Sequence, residues 1–189
     1  MLVDKKTIFL IGIVAVLGLL SFAVDNNVVR FFADLRTPIL NDFMILVTDW
    51  LTVAVVAILI PVLLLWAWGK KKWVPPLVLS VVVAVGLTYL FKSVFAVLRP
   101  ELGLIAAAGF SFPSGHTATV FSVTPVLNRG FPKLKWFWVG FACLIGFTRL
   151  YLGVHYLSDI IFGGLLGYLV GLSIIYLGAE KWEKWEKWK

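Results

Sequence analysis

An all-α membrane bundle is the fold class this sequence predicts, on three observations. Apolar residues make up 61% of the 189, and charged residues only 14%. Mean hydropathy is +0.97. The apolar residues also fall into runs long enough to be spans. A soluble domain carries about 45–50% apolar and about 25% charged residues. The composition therefore excludes an ordinary cytosolic domain, a disordered chain and a disulfide scaffold. Six spans of about 20 residues would use roughly 120 positions and leave only short loops. The expectation is one polytopic domain over residues 1–189, with no separate soluble module.

The apolar segments are 7–24, 51–68, 73–91, 114–127, 136–149 and 158–178. The first resembles a secretory leader, with Ser21-Phe22-Ala23 as a cleavage-like triplet. Its run of 18 residues is longer than a typical leader core, so it reads as an uncleaved span. The fourth and fifth are short and bounded by motifs rather than polar linkers.

Loop charge sets the orientation. Lys5 and Lys6, Lys70–Lys72, Arg129 with Lys133 and Lys135, and the tail lysines form basic clusters. The intervening segments 25–50, 92–113 and 150–157 are balanced by acids or carry few basic residues. Both termini, the 70–72 loop and the 128–135 loop are expected in the cytoplasm. The other three connections then face outward. This placement accounts for the +7 net charge and leaves no basic arm for nucleic acid. The single cysteine, Cys143, lies in an apolar run and permits neither an intrachain disulfide nor a cysteine zinc cluster.

In the 25–50 connection Phe31, Phe32, Leu35, Ile39, Leu40, Phe43, Met44 and Val47 recur at helical spacing among charges. Either interfacial helices or a loop packed over the bundle would give that pattern. The tail, 180–189, sets Trp182, Trp185 and Trp188 three apart, with Glu180–Lys184 and Glu183–Lys187 as helix-supporting pairs. It reads as an interfacial anchor, with a partner site as the other reading.

Charges near spans need a reason, and three clusters on the expected outer side have one. Lys92 and Arg99 are seven apart, on one face if that stretch is helical. They suit an anion, or they snorkel to headgroups. Pro113-Ser114-Gly115-His116 opens the fourth segment. It offers a hydroxyl, close backbone approach and the free N–H groups of a first helical turn; a capped helix with an incidental histidine is the plainer reading. Thr148-Arg149 precedes His155 and Asp159, which are four apart. A carboxylate so placed can take one ring proton and free the other nitrogen for attack, or the pair only staples two helices. The chain has only two histidines, and both fall in these clusters. Together the clusters describe a phosphoryl-transfer site whose charge is neutralised by Lys and Arg rather than by a metal.

The three clusters resemble the type 2 phosphatidic acid phosphatase superfamily, the integral-membrane lipid phosphate phosphatases. The family pattern K-x6-RP, PSGH, SR-x5-H-x3-D matches here over 92–100, 113–116 and 148–159, with Pro100 and Pro113 in place. Thr148 stands where the family usually has Ser and keeps the hydroxyl. The resemblance implies His155 as nucleophile, forming a phosphohistidine. It implies Asp159 orienting that ring, and His116 as general acid and then base. Lys92, Arg99, Ser114, Gly115 and Arg149 would hold the phosphate. Neither metal nor cofactor is implied.

The substrate expected is a lipid phosphate presented at an outer leaflet of the cell membrane. Undecaprenyl diphosphate ranks first, ahead of phosphatidylglycerol phosphate and phosphatidic acid. Membrane lipids are the only other partners expected, with no obligate protein partner. A non-catalytic lipid-phosphate binding or transport protein is the competing class. A vanadate peroxidase, which would share the phosphate site, is disfavoured by the apolar spans.

Overall fold

Helix α1, Lys5–Ser21, starts where the Asp4 carboxylate accepts the Thr7 N–H at 2.6 Å. In this computed structural model residues 4–184 are described, with side chains described to residue 178. After α1 the chain turns through 80° into α2, Asp25–Asp34. Thr37 then caps α3, Pro38–Thr48. The 25–50 connection is thus helical, and both its helices lie against the bundle, on α8 and α9 introduced below. The two readings of that segment merge: helices, packed over the core.

The next rod runs Trp50–Ala67. It is α4, Trp50–Ala54, a π turn at Val55–Leu59, and α5, Ile60–Ala67. Pro61 explains the π turn. Proline has no N–H to give and crowds the carbonyl four residues back, so the helix widens there rather than breaking. A short 3-10 turn at Lys71–Trp73 leads into α6, Val74–Phe95. Helix α7 is Gly115–Gly130, α8 is Lys135–Tyr151 and α9 is Leu157–Lys184.

The described residues are helical throughout their regular structure. Three stretches are long and apolar enough to cross a membrane alone: Trp50–Ala67, Lys71–Phe95 and Leu157–Gly178. The bent pair α1–α2 makes a fourth if counted as one span. Of the six spans expected, three or four are long and apolar enough by themselves. The segments expected at 114–127 and 136–149 are α7 and α8, of only 16 and 17 residues. Sixteen residues at about 1.5 Å each give about 24 Å, short of a hydrocarbon core of about 30 Å. The tail falls largely outside the described residues: α9 continues to Lys184, but nothing is described of the Trp182, Trp185 or Trp188 side chains.

Helix α7 is the axis of the bundle, surrounded by α6, α8 and α9. Its buried face includes Thr117, Thr119, Ser122 and Thr124, an unusual load of hydroxyls for a core helix. Ser122 and Thr124 donate to their own helix, at Thr119 O (2.8 Å) and Phe121 O (2.6 Å). Helix α9 approaches this axis on glycines. A Cβ at Gly163 would stand 2.6 Å from Ser114 O, and one at Gly167 would collide with Ala118 O. That close approach fixes the start of α7 against the start of α9, and the two motif-bearing helix ends meet. Outside the core, Phe9, Leu19, Leu51, Leu63 and Trp66 point away from the protein, as lipid-facing side chains do.

Candidate active site

The site forms where α7 and α9 begin. Ser158 N–H donates to Asp25 Oδ1 at 2.9 Å, and Ser158 Oγ to Asp25 Oδ2 at 2.5 Å. A buried carboxylate from α2 thereby caps α9 from across the fold. One residue on, Asp159 is fully buried. Its Oδ2 accepts the Tyr156 N–H at 2.9 Å and lies 3.1 Å from His155 Nδ1. Ser111 Oγ stands 3.5 Å from Asp159 Oδ1. His155 precedes α9 rather than lying within it, so the pair is made by a tight turn into the helix, not by one helical turn.

His155 is 2% exposed. Burial, with Arg149, Arg99 and Lys92 nearby, holds its ring well below the ordinary histidine pKa. The ring is therefore neutral, and its Nδ1–H donates to Asp159 Oδ2. Nε2 keeps a lone pair, and Arg99 Nη1 donates to it at 3.2 Å.

Lys92 and Arg99 do not share a helical face, because α6 ends at Phe95 and Ala96 takes a left-handed conformation, φ 47°. This corrects the helical reading of 92–99. They converge through the following loop instead. Lys92 Nζ donates to the carbonyls of Phe110 and Ser111. Arg99 donates from Nε to Gly109 O (3.0 Å), from Nη2 to Ala108 O (3.0 Å) and from Nη1 to Val154 O (2.7 Å). Arg99 thus ties the 104–111 loop to the turn that carries His155.

Arg149 is 5% exposed, and its Nη1 donates to Thr48 Oγ1 at 3.2 Å. Its Nε has no partner among the described residues. No ion pair between a described carboxylate and Lys92, Arg99 or Arg149 is formed. Buried charge without a counter-charge is costly. Lys92, Arg99, His116, Arg149 and His155 line one cavity of about 570 Å³.

Gly115 and His116 line that cavity from the first turn of α7. Ser114 sits differently. It is fully buried, its N–H donates to Asp159 O at 3.0 Å, and its Oγ accepts from Thr117 Oγ1 at 3.0 Å. Thr148 Oγ1 donates to Ile145 O at 2.7 Å and closes its own helix rather than the site. Pro100 and Pro113 are buried in the loop that frames it.

Sequence reasoning missed several neighbours. Asp25 was one acid among several in its connection, and nothing local marks it. Thr48 and Trp50 come from the same connection and reach the cavity only through the fold. Thr119 had a signal, being one turn beyond His116 on the same face. It is buried, lines the cavity, and its hydroxyl has no partner among the described residues.

The fold is an apolar helical bundle with one cavity lined by Lys92, Arg99, Arg149 and both histidines. The pattern of the PAP2 superfamily matches residues 73–183, and the chain belongs to that family. It is 29% identical over 165 residues to phosphatidylglycerophosphatase B of Bacillus subtilis, covering 78% of this chain and 80% of that one. It is 26% identical over 142 residues to undecaprenyl-diphosphatase BcrC of the same organism, covering 72% and 74%. Over 66 residues it is 38% identical to bacitracin transport permease protein BcrC of Bacillus licheniformis, spanning 35% of this chain and about a third, 32%, of that protein. A crystal structure of a transmembrane PAP2-type phosphatidylglycerolphosphate phosphatase from Bacillus subtilis shares the fold, with TM-score 0.73, 22% identity, and 90% and 96% of the two chains covered. Aquifex aeolicus LpxE superposes with TM-score 0.70 at 28% identity, covering 81% and 95%. Membership of this family, with relatives named phosphatases, identifies an enzyme of the lipid phosphatase class.

Proposed function

We propose that this chain hydrolyses a membrane lipid phosphate or diphosphate through a phosphohistidine on His155. The observation that carries the reading is Arg149, whose Nε has no partner among the described residues, gathered with Lys92 and Arg99 around a histidine whose Nδ1 is already held by Asp159. Arg99 leaves Nε2 to clasp a phosphoryl oxygen as substrate enters. Nε2 attacks phosphorus, and the bond to the lipid oxygen breaks as the P–N bond forms. His116 gives that oxygen its proton. Water then attacks phosphorus while His116 takes a proton. The P–N bond breaks, its electron pair returns to Nε2, and inorganic phosphate leaves. Asp159 stabilises the cationic phosphohistidine, and the three cations stabilise the spread charge of the transferring group. Charge neutralisation by side chains leaves no step that calls for a metal.

Undecaprenyl diphosphate is the substrate we rank first, followed by phosphatidylglycerol phosphate and phosphatidic acid. Relatives named for the first two support that short list. The site faces outward from a plasma membrane, with both termini cytoplasmic, on the distribution of loop lysines and arginines. All six apolar segments cross, α7 and α8 doing so as short helices wrapped by their neighbours.

The test is phosphate release in detergent micelles with excess chelator, on those three lipids, with His155→Ala as control. Release lost in the variant is expected, and equal release by the variant would sink the mechanism. The relative named as a transport permease favours a second reading, a lipid-phosphate carrier. Saturable binding of the same lipids without release of phosphate from any would select it.

A further inference from the structure

Thr48, Asp49 and Trp50 form a corner between α3 and α4. The Asp49 N–H donates to Ile45 O at 3.0 Å, and its Oδ2 accepts the Leu51 N–H at 2.8 Å. One residue therefore closes a helix and opens the next, and the residues on either side of it are fixed. Thr48 takes Arg149 Nη1 on its hydroxyl. Trp50 lays its ring on the imidazole of His116, with centroids 3.7 Å apart and planes inclined by 32°.

A tryptophan at headgroup depth is ordinarily an anchor, and at 53% exposed Trp50 could serve as one. An anchor has no need of a histidine under its face. The charges around His116 give the stack a purpose. Arg149, His155 and Arg99 line the same cavity as its ring. Lys92 lines the same cavity, as does the Asp49 carboxylate. A histidine facing cations is seldom protonated unless something favours its charged form. An indole face does so, because its quadrupole attracts cations.

We propose that Trp50 is a positioning residue for His116, holding the ring over the cavity and stabilising its protonated form so that it reaches the leaving oxygen as an acid. Trp50 exchanges no proton itself. The ring N–H passes to the oxygen as the P–O bond breaks, and the now neutral ring takes a proton from water in the second step. The inference rests on His116 being the general acid.

The experiment is the pH dependence of kcat/KM for the wild type, Trp50→Phe and Trp50→Leu, in micelles, on whichever of the three lipids turns over fastest. His116→Gln is the control. Because kcat/KM ends at phosphoenzyme formation, its alkaline limb reports loss of the acid. With Trp50→Leu that limb should move to lower pH by about 0.5 to 1 unit, with Trp50→Phe moving less in the same direction. If Trp50→Leu does not elute as folded protein, the Phe variant against wild type decides alone. A uniform fall in kcat/KM with the limb unmoved would overturn the proposal and leave a packing or anchoring role. Full activity in His116→Gln would instead remove the general-acid reading on which it rests. A wild type silent on all three lipids removes both.

Discussion

The two ends of this bundle use the same residue types in opposite ways. At one end Lys92, Arg99 and Arg149 converge on a buried cavity, tied by backbone carbonyls and a threonine hydroxyl. At the other, Lys70 donates to Gly130 O at 2.6 Å and lies 4.9 Å from the Phe131 ring. Lys71 there sits 4.0 Å over the Trp66 ring, and Lys135 lies 5.3 Å from Trp136. Cations laid on aromatic faces at a protein edge are satisfied as they stand. Cations gathered in a cavity without carboxylate partners keep a charge that no protein carboxylate offsets. Burial and partner type, not the presence of charge, separate a site from an anchor.

That contrast can be broken most sharply at His155. Its replacement by Ala should lower kcat by at least about a thousandfold, because the attacking atom itself is removed; phosphate release is the measurement. Next, Arg149→Ala should lower kcat/KM by about a hundredfold, the range for one lost electrostatic donor. Arg149→Lys should recover only part of that, since a point charge cannot reproduce the guanidinium fork. Equal activity in all three proteins would mean that the cavity cations are as dispensable as those at the other end.

A smaller effect is expected at Asp25, which touches no substrate. Losing its cap on α9 should cost about 1 kcal/mol of stability. It should also reduce kcat by about tenfold, through looser placement of Asp159, with KM little changed. Thermal unfolding in detergent with steady-state kinetics checks both, and an unchanged kcat would make Asp25 purely structural. Smallest of all, Lys71→Ala should leave turnover within about twofold of wild type and remove at most about 1 kcal/mol of cation–π stabilisation. A larger loss of turnover there would erase the distinction between the two ends.

The motifs made most of the proposed catalytic set legible. His116, Arg149, His155 and Asp159 stand out because ionisable residues in or beside apolar segments need a reason. Their spacing suggested the His155–Asp159 pair, although the structure builds it from a turn entering α9 rather than from a helix. Lys92 and Arg99 line one cavity, but not through a shared helical face, since α6 stops between them. Ser114 was legible as a helix-start hydroxyl, yet that hydroxyl is turned to Thr117. Asp25, Thr48 and Trp50 were not legible. Their partners lie far along the chain, Ser158 at a separation of 133 and Arg149 at 101, and no local pattern encodes such a contact.

What the sequence determined by itself was therefore the medium and the chemistry. Composition set a lipid-facing helical chain, and two histidines in motifs in or beside apolar segments pointed to phosphoryl transfer. These follow from local quantities, transfer free energy along the chain and the reactivity of particular side chains. Tertiary structure alone decided which cations meet and which residues hold the two histidines. Those outcomes depend on packing distances. They arise where glycines on α9 let the α7 backbone approach until Ser114 N–H reaches Asp159 O, and where a one-residue corner at Asp49 delivers Thr48 to Arg149 and Trp50 to His116.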